Sequence, residues 1–97
     1  MYAVIFKAKI AQMDEEYFRV ARKMRELAMK EHGCIDFISS TEGEQEIAIS
    51  YWENEEAITT WRQNSEHLLA QDVGKKKWYE SYSVEVAKIE RAYRSDS

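Results

Sequence analysis

The chain contains no proline, three glycines, one cysteine and two histidines in 97 residues, and each scarcity excludes something. The glycines Gly33, Gly43 and Gly74 stand far apart, so neither a dinucleotide fingerprint nor a phosphate loop can be assembled from them. A flavin or nicotinamide held by those motifs is therefore not expected, and the reading carries no cofactor. No serine sits in a G-x-S-x-G elbow, which removes the commonest hydrolase template. A lone Cys34 rules out an internal disulfide and suits a reducing cytosol. Two histidines and one cysteine are thin material for a metal, so no metal site is expected. No apolar run approaches the roughly 20 residues needed to cross a membrane. The start, Met1 to Phe6, lacks a basic leader and a small-residue cleavage site, so a cytoplasmic protein without a membrane partner is expected. There are no repeats, no low-complexity stretch and no linker.

The charge balance removes another class. A formal charge of −4 argues against nucleic acid, which calls for a basic face that releases counterions. The run Lys75-Lys76-Lys77, bracketed by Asp72 and Glu80, reads as a solvated helix face rather than a phosphate patch. The carboxylates scatter over helix starts and exposed faces, with no close pair in an apolar stripe. A glycosidase-type acid and base are not indicated.

What is present is periodic. A chain of this length makes one domain, 1–97, with Arg94 to Ser97 expected to fray. Tyr2, Val4, Phe6, Ala8 and Ile10 alternate with Ala3, Ile5, Lys7 and Lys9, the pattern of a strand. From Asp14 the period becomes helical, with Tyr17, Val20, Ala21, Met24, Leu27, Ala28 and Glu31 on one stripe. Asp14 is placed as N-cap, and Gly33 as the stop after the helix. Cys34 to Thr41 and Gln45 to Glu53 then form a hairpin around Glu42-Gly43-Glu44. Asn54 caps a second helix through Ala57, Ile58 and Trp61, and Ser65-Glu66 restarts a short third one. Tyr79 to Tyr93 reads as a long strand whose apolar phase switches after Val86, suggesting a bulge there or a strand end that packs on another subunit.

The order βαββαβ predicts an α+β, ferredoxin-like fold: a four-stranded antiparallel sheet with helices on one face. Its other face would expose Ala3, Ile5, Ala48, Trp52 and their neighbours. So short a chain buries only about 60–65% of its unfolded surface, and with no disulfide or metal a partner subunit is the remaining support. Both considerations predict a homodimer with its sheets face to face, as a dimeric α+β barrel.

The richest stretch is Trp52-Glu53-Asn54-Glu55-Glu56-Ala57-Ile58-Thr59-Thr60-Trp61, followed by Ser65-Glu66-His67. With Gly33-Cys34 entering a strand that carries Phe37, it resembles the antibiotic biosynthesis monooxygenase family from Tyr2 to about Tyr93. The resemblance implies a pocket between sheet and helices in each subunit. It also implies cofactor-independent oxidation, by O2, of a small flat aromatic: phenolic, quinol or polyketide-like. Trp61 matches the family's pocket position, often a histidine, and would stack on such a substrate; its bland reading is a packed helix aromatic. His67 has two open readings. One is a first-turn surface histidine after Ser65; the other is a neutral imidazole, its pKa lowered by the helix dipole, acting as proton acceptor. Phe37, Tyr51, Trp78 and Tyr82 are the further candidates for the pocket lining. His32 reads as a helix cap and Cys34 as a small buried hydrophobe. The family's haem-degrading members imply a pocket Asn where this chain has Phe6 and Lys7, and a ligand His near Gln71; both are absent. The alternatives to oxygenation are a non-catalytic binding or stress-response module and, less favoured, haem degradation.

Overall fold

The computed structural model describes residues 1–73 and 78–96, and the side chains of all of these except 66–73. Gly74, the lysine run and the side chains of His67, Leu68, Leu69, Gln71 and Val73 lie outside the described residues. The elements are β1 (Tyr2–Ile10), α1 (Glu15–Glu31), β2 (Asp36–Glu42), β3 (Gln45–Trp52), α2 (Glu55–Val73) and β4 (Tyr79–Lys88). The four strands form one antiparallel sheet in the order β2-β3-β1-β4. This is the ferredoxin-like α+β arrangement expected from the strand and helix periods.

Local chemistry fixes the ends of each element. Asp14 sits in extended backbone and its carboxylate accepts the Tyr17 N–H at 2.9 Å, satisfying one of the helix's orphan donors. Helix α1 buries Tyr17, Val20 and Ala28, while Glu31 is exposed and falls outside the stripe. His32 is the C-cap, and Gly33 follows at φ +77°, which a side chain would resist. Asn54 caps α2 through the Ala57 N–H at 2.8 Å. Between β2 and β3, Glu42 pairs with Gln45, so the turn is only Gly43-Glu44, with Gly43 at φ +60°. Glycine at that first central position matches the twist of the flanking strands.

Three expectations about local structure change. No helix restarts at Ser65: α2 runs unbroken from Glu55 to Val73, and Ser65 is buried within it. Arg62, Gln63 and Asn64 contain no breaker, so the cap signature at Ser65 is overridden. The strand Tyr79 to Tyr93 ends at Lys88, and its irregularity lies at the opposite end from Val86, between Lys9 and Ile10 of β1. There β4 steps from Ser81 to Tyr79, leaving Glu80 as the extra residue.

The third correction concerns the sheet faces. Trp52 pairs with Tyr2, Ser50 with Val4 and Ala48 with Phe6, so Trp52 and Ala48 belong to the helix side. The open face instead joins Ala3, Ile5 and Lys7 of β1 to Tyr51, Ile49 and Ile47 of β3 and Ile38 of β2. Assigning Ala48 and Trp52 to that face was a one-residue error of pairing, which in a strand moves every side chain to the other side. The open face is nevertheless apolar: Ile38 is 52% exposed, and Ile47 is exposed beside it.

Two core clusters fill the helix side. Val4, Ala28, Cys34, Trp52 and Ile58 form one; Tyr17, Val20 and Trp78 form the other.

Candidate functional site

The helix side of the sheet carries an aromatic group at each end. At the Tyr2 end, Trp61 of α2 lies against Trp52, with ring centroids 5.2 Å apart, and edge-on to Phe37 at 6.2 Å. Its indole N–H donates to the Met24 carbonyl of α1 at 3.3 Å, so Trp61 also ties the two helices together. Trp52 is fully buried and its indole N–H donates to Ser50 Oγ at 2.8 Å. Arg25 reaches over from α1: its guanidinium stands 5.4 Å from the Phe37 ring centre and donates to the Phe37 carbonyl.

At the other end the group is larger and part of it is exposed. Phe6 of β1 meets Tyr79 edge-on at 5.4 Å and stacks on Tyr82 at 5.8 Å. Tyr17 of α1 closes the group, edge-on to both Trp78 at 5.7 Å and Tyr79 at 6.0 Å. The bulge at Glu80 is what makes this possible. It places Tyr79 opposite Ile10 and Tyr82 opposite Ala8, so both rings fall on the helix side. Tyr82 is 66% exposed, and Val84 and Val86, next on the same face of β4, are exposed too. The sheet therefore presents an uncovered aromatic and aliphatic shelf beside the helices.

One carboxylate enters this group. Glu46 of β3, half-buried, accepts a hydrogen bond from the Tyr17 hydroxyl, and Tyr79, edge-on to Tyr17, lies within reach of its charge. Burial, then the bond to Glu46, holds the Tyr17 phenol far above its ordinary range. Burial first and the Glu46 charge second push Tyr79 up to about 12. Both phenols thus keep their protons at any physiological pH.

The residues singled out in the sequence divide between these places. Phe37 and Trp61 touch each other; Trp78 and Tyr82 belong to the second group, linked through Tyr17 and Tyr79. Tyr51 stands on the open face, paired with Ala3 and Asp36, and does not join them. The backbone of His67 lies inside α2, two residues past Ser65, and the helix start expected beside it is not there. Phe6, Tyr17, Glu46 and Tyr79 were missed. The alternation of β3 carried a signal for Glu46, which shares a face with Ala48, Ser50 and Trp52.

Other features carry less chemistry. A shallow groove lined by Lys7, Lys9, Glu42, Gln45, Ser81 and Ser83 lies mainly on the open face, away from Trp61. Cys34 is buried, its Sγ 3.1 Å from the Asp36 carbonyl, and burial pushes the thiol up against two backbone hydrogen bonds. His32 Nε2 lies 3.2 Å from Asn64 Nδ2, joining the end of α1 to α2. Among the described residues no group of three His, Cys, Asp or Glu could hold a metal ion, and no helix is long and apolar enough to cross a membrane.

Comparison with known proteins gives concordant results. The sequence model of the antibiotic biosynthesis monooxygenase family matches residues 1–73. YqjZ of Bacillus subtilis, described as an uncharacterized protein, is 40% identical over 93% of this chain and 80% of its own length. The jasmonate monooxygenase ABM of Pyricularia oryzae is 28% identical over 99% of this chain, which spans 46% of that longer relative. Among solved structures, SnoaB, a cofactor-independent oxygenase from Streptomyces nogalater, superposes with a TM-score of 0.75 over 97% of both chains, at 9% identity.

Proposed function

The chain belongs to the antibiotic biosynthesis monooxygenase family, and from that premise we propose that it is a cofactor-independent oxygenase acting on a small flat aromatic molecule. The observation that carries this reading is the aromatic shelf of Phe6, Tyr79 and Tyr82 beside the helices, which offers a flat, apolar surface for stacking. In the reaction, a phenol or anthrone gives up a proton and its anion meets O2 directly. One oxygen atom becomes the new carbonyl and the other leaves as water. The substrate supplies all four electrons, so the balance needs no further reductant. The protein's part is to desolvate and orient the anion and to receive its proton. In this reading His67 is the proton acceptor and Trp61, with Phe37, closes one end of the binding surface.

The working form is read as a homodimer. The open face carries Ile5, Ile38, Ile47 and Ile49 with no helix over them, and a second copy with the same face is the self-complementary cover.

Oxygen-electrode assays over naphthols and anthrones test the chemistry. The reading expects uptake with at least one substrate, and a loss of roughly a hundredfold or more in His67→Ala. No uptake with any substrate would favour a non-catalytic binding module; full activity in His67→Ala would remove that residue from the mechanism.

A further inference from the structure

Glu46 keeps unusual company for a charged strand residue. Its cross-strand neighbours on the helix side are Ala8 and Thr41, and Ala48 follows on its own strand. No cation pairs with it among the described ion pairs. It is held by the Tyr17 hydroxyl instead, with the Tyr79 ring packed edge-on against Tyr17. Half-burying an anion without a cation is costly compared with an apolar residue of similar size, and sheet pairing, made through the backbone, does not require it. An ionised carboxylate has about four acceptor positions, and the one phenol that donates to it leaves most of them open.

Two further observations point to something from outside the chain. The indole N–H of Trp78, a residue only 1% exposed and packed edge-on against Tyr17, finds no acceptor among the described residues. Such a buried donor is uncommon and calls for a partner. The bulge at Glu80 is the second. Without it Tyr79 would not fall on the helix side, where it meets Tyr17 and the exposed Tyr82 ring. Spare acceptor capacity and a donor with no acceptor among the described residues thus sit in one cluster, at the end of a shelf that is open to solvent.

We propose that Tyr17, Glu46 and Tyr79 form a head-group subsite at the end of the shelf, which selects a ligand hydroxyl that keeps its proton and rejects a ligand carboxylate at that end, away from the carbon that reacts. A ligand hydroxyl donates to a free acceptor position of Glu46 while the flat remainder lies on Phe6 and Tyr82. A methyl ether of the same shape leaves the carboxylate desolvated and unmatched, and a ligand carboxylate meets like charge. The proposal rests on the shelf being the binding surface, and it adds which end of the ligand is recognised and by what.

Calorimetric titration of the intact protein with 2-naphthol, 2-methoxynaphthalene and 2-naphthoate tests it. Wild type is expected to bind the naphthol at least about tenfold tighter than either analogue. In Glu46→Gln, which keeps the shape and loses the charge, the naphthol-to-naphthoate ratio is expected to fall to within about twofold, with cooperative thermal unfolding retained. Equal affinities for all three in wild type overturn the subsite and leave the shelf standing. Absence of binding by all three overturns both. An unchanged ratio in folded Glu46→Gln also overturns it. The three wild-type affinities decide the matter even where the variant does not fold.

Discussion

Trp52 and Trp61 show how one residue type serves two ends of the same problem. Trp52 is enclosed on every side, and truncation to alanine is expected to cost about 3–5 kcal/mol, read from urea unfolding. Trp61 is half-buried and spends its N–H on the Met24 carbonyl, so its packing role is firm whatever it also contacts in a ligand. Tyr79 supplies a pH signature. Its folded-state value, about 12, lies above the ordinary phenol value near 10, so the folded protein holds that proton more tightly than the unfolded chain does. Stability from this source is intact below about pH 10 and is lost as the pH rises towards about 12. Urea midpoints at about pH 8 and about pH 11 should therefore differ, and Tyr79→Phe should narrow the difference. Cys34, buried with a raised thiol pKa, should react with a thiol reagent only at the rate of unfolding.

At the level of elements, the caps were legible because they are local chemistry. Asp14, Asn54, Gly33 and Gly43 each act within a few residues of themselves, and each is found as expected. Asp14→Ala and Asn54→Ala should each cost about 1 kcal/mol, and Ser65→Ala less, because Ser65 lies within a continuous helix rather than at a start. Thermal or chemical unfolding of the three variants checks the ranking. What depended on pairing was not legible. The period of β3 shows that Ile47, Ile49 and Tyr51 share a face, yet not which face; only its register against β1 decides that. The same holds for Tyr79 and Tyr82: three residues apart, they read as opposite faces of a plain strand, and the bulge brings them together. The alternation of β3 shows Glu46 on the face of Ala48, Ser50 and Trp52, but not its neighbours, which come from α1 and from β4, far along the chain.

For the whole molecule, the sheet divides two tasks between its faces. The helix side holds the core and the aromatic shelf; the open side holds the isoleucines proposed to meet a second copy. Ile38→Asp, on the exposed outer strand, should leave the far-ultraviolet spectrum unchanged and reduce the light-scattering mass from that of a pair to that of one chain. A wild-type mass equal to one chain at micromolar concentration would remove the dimer. The central claim, oxygenation without a cofactor, is tested most directly by turnover under isotopically heavy O2. The protein, purified free of metal and flavin, is given the anthrone or phenol that supports oxygen uptake, and the product is weighed. The account predicts a quinone carrying one heavy oxygen atom per molecule. A quinone with only light oxygen, or none above the protein-free control, contradicts it.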